Sequence, residues 1–162
     1  MAISVGDKIP DVGVQVLGSD GMPQTVQTGE VLGSGKVVLF GLPGAFTPGC
    51  SKQHLPGFVA GASDLAGKGV DKVVCVSIND AWVLDAWADS QDAKGKITML
   101  ADGNGTFTEA MGLSFDGAGF GLGTRSLRYC AVIEDGVITA LNLEESPSQV
   151  AASSCSAVLS GL

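Results

Sequence analysis

The chain is poor in several things, and each shortage narrows the field. It has one histidine, His54, and no acidic cluster at ligand spacing around it, so a metal centre is not expected. Its four cysteines, Cys50, Cys75, Cys130 and Cys155, form no C-x-x-C pair, which fits neither a disulfide framework nor a structural zinc site. Free or reactive thiols in a reducing compartment are the better default. Basic residues are scarce: Lys and Arg total 9 against 17 Asp and Glu, a net charge of −8. A nucleic-acid partner would normally need a basic face, so none is expected. No apolar run approaches the roughly 18 residues that span a bilayer, and no membrane partner is expected. The start, Met1 to Asp7, lacks a basic segment followed by an apolar stretch, so a secretory signal is not expected. The 24 glycines have no period, which excludes collagen-like and repeat architectures.

What remains is a chain of 162 residues, 45% hydrophobic, expected to fold as a single domain over residues 1–162 around a substantial core. Its centre is the stretch KVVLFGLPGAFTPGCS, residues 36–51. Val37 to Leu42 is apolar or glycine throughout and too short for a helix, so it reads as a buried strand. Pro43 to Gly49 reads as a loop. Cys50 follows at the first turn of an amphipathic segment. A helix start offers unpaired N–H groups and about half a positive charge, and both favour S⁻ over SH.

Before this centre, Val12, Val14 and Val16 alternate with small and polar residues, Gly18 to Gly21 reads as a turn, and Thr25 to Thr28 as the return strand of a hairpin. After it, Leu55, Phe58, Val59, Ala62 and Leu65 have helical spacing over 51–66, with Pro56 predicting a kink or interruption about two turns in. Val70 to Ile78 reads as a buried strand containing Cys75. Asn79-Asp80 caps a helix with Ala81, Val83, Leu84, Ala86 and Trp87 on its apolar face. A strand over 97–100, a short helix over 106–111 and a glycine-rich loop over 114–124 come next. Strands over 128–133 and 137–143 form a hairpin around Glu134-Asp135-Gly136, and a terminal helix runs from Ser148. This order predicts an α/β chain with a mixed central sheet, helices on both faces and an N-terminal β-hairpin, compatible with a thioredoxin-like fold.

Thr47-x-x-Cys50 is the informative spacing. In thioredoxin-type motifs the residue three before the helix-start thiol is another cysteine; here it is Thr47, so no local disulfide closes. One nucleophile remains, with a hydroxyl a turn away that can donate to a thiolate or to an oxygen bound beside it. Pro43 and Pro48 stiffen the loop, and Pro43 can wall the thiol off from bulk water. Cys50-x-x-x-His54 is one helical turn and leaves open a Cys–His pair or half a metal site, the latter disfavoured by the lack of further ligands.

Pro43, Thr47 and Cys50 meet the pattern P-x-x-x-T-x-x-C, and with Cys75 to Asp80, Leu100 to Gly103 and Gly123 to Tyr129 they resemble the peroxiredoxins. The likeness is to the type II, 5-like atypical subfamily, in its plant and algal form, through ISVGDKIPD at the start and LNLEE near the end. The resemblance implies a thioredoxin-like thiol peroxidase that reduces hydrogen peroxide and alkyl hydroperoxides without metal or organic cofactor. It implies Cys50 as the peroxidatic cysteine, Arg128 as the active-site arginine, Thr47 as holding the peroxide and Pro43 as the shield. The N–H groups of Gly49 and Cys50 would add to substrate binding. Arg125 is the competing arginine. Cys75 is implied as the resolving cysteine, its alternative being core packing. Cys130 is expected in the core, no resolving role is carried over to Cys155, and His54 is implied to be a structural helix residue. Recharging by thioredoxin or glutaredoxin, a homodimer formed through the loops flanking the site, and a chloroplast location in mature form (or else the cytoplasm) are implied likewise. The alternative function is a thioredoxin-fold redox sensor or chaperone-like binding module, oxidised at Cys50 without turnover.

Overall fold

The structure is a computed structural model describing residues 1–162. A hairpin opens it: β1 (Gly13–Leu17) pairs antiparallel with β2 (Pro23–Gln27), followed by a single helical turn, α1 (Thr28–Val31). Thr28, read as strand, instead starts that turn, because its buried hydroxyl donates to the Pro10 carbonyl and accepts from the Val12 N–H. Then come β3 (Lys36–Gly41), α2 (Leu55–Gly67), β4 (Lys72–Ser77), α3 (Ala81–Ser90), β5 (Thr98–Ala101) and α4 (Thr106–Met111). The chain closes with a ribbon of β6 (Ser114–Asp116) and β7 (Thr124–Ser126), the hairpin β8 (Tyr129–Glu134) and β9 (Val137–Leu143), and α5 (Cys155–Gly161).

The seven-stranded sheet runs β2-β1-β5-β4-β3-β8-β9. β3, β4 and β5 are parallel, while β1 and β8 join antiparallel. This is the expected mixed sheet of a thioredoxin-like fold. The sheet's period of two splits β3 between two cores. Val38 and Phe40 face α2, α3 and α5 with Phe58, Leu65, Trp87 and Val158; Val37 and Leu39 face α4 with Phe107 and Met111. Gly41 is needed where it stands, since a Cβ there would run into the ring of Tyr129, its partner across the ladder.

Three expectations are corrected. The proline does not interrupt the helix. Cys50–His54 forms one wide π-helical turn in which the Leu55 N–H bonds the Cys50 carbonyl, and Pro56 then falls in the first turn of α2. The glycine-rich loop contains the β6–β7 ribbon, which sets Arg125 opposite Phe115. The terminal helix starts not at Ser148 but at Cys155, with the Ser154 hydroxyl accepting from the Ala157 N–H as its cap. Residues 145–154 are instead a strap, because the Glu144 carboxylate takes the N–H groups of Ala151, Ala152 and Ser153 that a helix would use. A smaller correction falls on α3, where Ala86 is exposed and Ala88 is buried in its place.

Candidate active site

β3 ends against the loop 42–49, and three bonds pin it. The Arg125 guanidinium donates to the Pro43 carbonyl at 3.0 Å and, through Nε, to Leu122 at 3.2 Å. The Ala45 N–H donates to Asn79 Oδ1 at 3.0 Å, an oxygen also bonded by the Ser77 hydroxyl at 2.6 Å. The Thr47 hydroxyl donates to the Gly44 carbonyl at 2.6 Å. Held this way, Phe46 takes a left-handed φ of 64° and turns its ring outward, 58% exposed. The first helical bond runs from the Ser51 N–H to the Thr47 carbonyl at 2.9 Å, so the N–H groups of Gly49 and Cys50 lie ahead of the ladder. The Trp87 indole donates to the Ser51 hydroxyl at 3.0 Å and ties α3 to the same turn.

Cys50 is fully buried, and one charged group reaches it: Arg128 Nη2 donates to Sγ at 3.2 Å. Arg128 is itself only 3% exposed. Its Nε donates to the Pro147 carbonyl at 2.9 Å, and its Nη1 lies 3.0 Å from His54 Nδ1. His54 Nε2 lies 3.0 Å from the Ser153 carbonyl. A carbonyl only accepts, so the proton sits on Nε2 and Nδ1 accepts from the arginine. His54 is wedged against Phe40 and Phe58, with centroids 5.1 and 5.6 Å away. Burial first, and then the Arg128 charge, push its pKa down to about 4, so the ring is neutral. All three donor directions of the guanidinium are therefore fixed, and its charge is directed at the sulfur.

Each sequence candidate can now be located. Gly49, Cys50 and Arg128 meet at one point, and Thr47 stands three residues before Cys50 with its carbonyl accepting the first helical bond from the Ser51 N–H. Gly49 packs so close to Arg128 that a Cβ there would stand 3.0 Å from Nη2. Pro43 is buried, with its carbonyl held by Arg125. Thr47 differs from expectation in one respect: its proton is spent on Gly44, so its oxygen is left to accept a bond rather than to donate one. Arg125 supports the loop and makes no contact with sulfur. His54 does not touch Sγ either; it orients the arginine, a link that helical spacing from Cys50 could not reveal. Glu144 also escaped the sequence reading, although it stands in the LNLEE stretch, because its partners lie seven to nine residues further on in a segment that reads as helix.

The four thiols are all free and all belong to the core layer between the sheet and α2, α3 and α5. Cys75 and Cys130 flank Phe40 across the ladder. Burial pushes the Cys75 thiol well up, the neighbouring Cys50 pushes it further, and Arg128 opposes both. Burial raises Cys130 and Cys155 also. No group of three or more His, Cys, Asp or Glu side chains converges.

Comparison with known proteins gives the family of the chain. The Redoxin family model matches residues 4–159. The chain is 45% identical over 147 residues to peroxiredoxin-2E, chloroplastic, of Arabidopsis thaliana, covering 89% of this chain but 63% of that protein, so it spans less than two thirds of that relative's length. It is 39% identical to peroxiredoxin-2D of the same plant, over 88% of both chains. The crystal structure of reduced Prx3 from Vibrio vulnificus in complex with hydrogen peroxide superposes with a TM-score of 0.92 at 43% identity, over 98% of both chains. With its family model matched nearly end to end and named relatives at this identity and coverage, the chain belongs to the redoxin family, in its peroxiredoxin branch.

Proposed function

We propose that this chain is a thiol-dependent peroxidase acting on hydrogen peroxide and alkyl hydroperoxides. The observation that carries the reading is the bond from Arg128 Nη2 to Cys50 Sγ at a buried helix start. The sulfur of the Cys50 thiolate attacks one peroxide oxygen in line with the O–O bond. An S–O bond forms, the O–O bond breaks, and the leaving oxygen departs with its electron pair, taking a proton to become water or an alcohol. Arg128 and the N–H groups of Gly49 and Cys50 are the donors for the negative charge that develops on the oxygens, and Thr47 accepts from the peroxide O–H. Cys50 is left as sulfenic acid. A thiolate then attacks that sulfur: the S–S bond forms, the S–O bond breaks, and the hydroxide that leaves takes a proton to become water.

The intramolecular candidate for this second step is Cys75, on the same core layer. Both residues are fully buried, so the disulfide requires local unfolding of the Cys50 turn. Thioredoxin or glutaredoxin is the proposed reductant. A homodimer fits the exposed rings of Phe46 and Phe120, on loops that Arg125 ties together through Pro43 and Leu122. A plastid location rests on the chloroplastic relative and is tested by fractionation of the source cells.

The decisive experiment is peroxide consumption with dithiothreitol and with a thioredoxin system by wild type, Cys50→Ser and Cys75→Ser. Cys50→Ser is expected to be inactive with both donors, and Cys75→Ser to lose only the thioredoxin-supported rate. Turnover by Cys50→Ser would overturn the reading, and a wild type that stops after one equivalent would mark a sensor instead.

A further inference from the structure

The strap 145–154 is built around a single carboxylate. Glu144 directly follows β9 and stands across from Arg128, whose carbonyl accepts from the Glu144 N–H at 3.0 Å. Its side chain turns into the strap, 8% exposed, and accepts four bonds: from the N–H groups of Ala151 (2.7 Å), Ala152 (3.2 Å) and Ser153 (2.9 Å), and from the Ser153 hydroxyl (2.6 Å). Burial pushes this carboxyl up, but the Ser153 hydroxyl and the three N–H groups outweigh it and hold the group below the ordinary glutamate value. The strap so tied offers two carbonyls to the site: Pro147 to Arg128 Nε and Ser153 to His54 Nε2. Without them the guanidinium keeps only its bond to sulfur and a histidine free to turn.

We propose that Glu144 is a positioning residue: by tying residues 151–153 it fixes the Pro147 and Ser153 carbonyls, and through them and His54 it holds the Arg128 guanidinium on Cys50 Sγ. This rests on the site proposed above but does not require turnover. A carboxylate suits the role because all four partners are donors and an ionised carboxylate is acceptor-only; glutamine would turn an NH2 toward one of them.

The test follows Arg128's hold on sulfur directly. Alkylation of Cys50 by iodoacetamide is followed by peptide mass across pH, at low reagent, in wild type, Glu144→Gln, Arg128→Gln and the double variant. The midpoint of the pH profile reports thiolate formation whether or not the protein is a peroxidase. Glu144→Gln is expected to move the profile in the wild-type background and to leave it unmoved in the Arg128→Gln background, because the effect passes through the arginine. The midpoint is to return toward wild type with Glu144→Asp. An unchanged midpoint in Glu144→Gln, or an equal shift in both backgrounds, overturns the proposal. Should Glu144→Gln not fold, Ser153→Ala removes the 2.6 Å hydroxyl bond alone and is read in the same cycle with the same two outcomes. A parallel stopped-flow rate with hydrogen peroxide keeps the two readings apart. If wild type reacts no faster than free cysteine the peroxidase reading fails, while the alkylation cycle still decides the role of Glu144.

Discussion

At the scale of single residues, the site depends on one side chain used three ways. Arg128 spends Nε on Pro147, Nη1 on His54 and Nη2 on Cys50, which a planar fork does and an ammonium does not. Arg128→Lys keeps the charge and loses the fork, so stopped-flow oxidation of Cys50 by hydrogen peroxide should slow by about 10²- to 10³-fold, the scale of losing an aimed donor. His54 makes a different prediction. Its folded pKa, about 4, lies below the ordinary 6.5, so the unfolded chain binds the extra proton. Stability from the neutral ring is complete above pH 6.5 and is lost as pH falls toward 4. By then the loss from this one group is about 3 kcal/mol. Urea unfolding at pH 7 and pH 4.5 should show wild type losing more than His54→Gln, which does not titrate; equal losses would refute it.

At the scale of elements, the turn after β3 decides the chemistry, and here the sequence was readable in part. The strand, the loop and Cys50 at a helix start follow from apolar run length, proline and glycine placement, and those rules are local. The π-turn was not readable, because Pro56 announces a lost bond without saying whether the chain kinks or widens by one residue. The strap was read as helix for a similar reason: the competitor for its N–H groups, Glu144, stands just past the end of the preceding strand. Arg128 could be named from the resemblance, but its hold on His54 joins residues 74 apart in the chain. Close approach gives the element-scale test. A Cβ on Gly49 would stand 3.0 Å from Arg128 Nη2, so Gly49→Ala should displace the guanidinium. Cys50 oxidation is expected to fall about tenfold or more while the circular dichroism spectrum stays that of wild type.

At the scale of the whole molecule, the acidic surface and two outward-facing rings matter. Phe120 is 86% exposed and Phe46 58%, on loops joined by one arginine. If they meet a second copy, sedimentation equilibrium should give twice the chain mass for wild type and the chain mass for Phe120→Glu; a monomeric wild type would end the dimer reading. The same global packing leaves Cys50 with no exposed surface at all. A bulky probe must therefore wait for the fold to breathe. As the concentration of such a probe rises, the modification rate of Cys50 should stop climbing and level off at the frequency with which its cover opens, one plateau shared by every bulky reagent. The height of that plateau is a clock for the enclosure, independent of what reacts inside it.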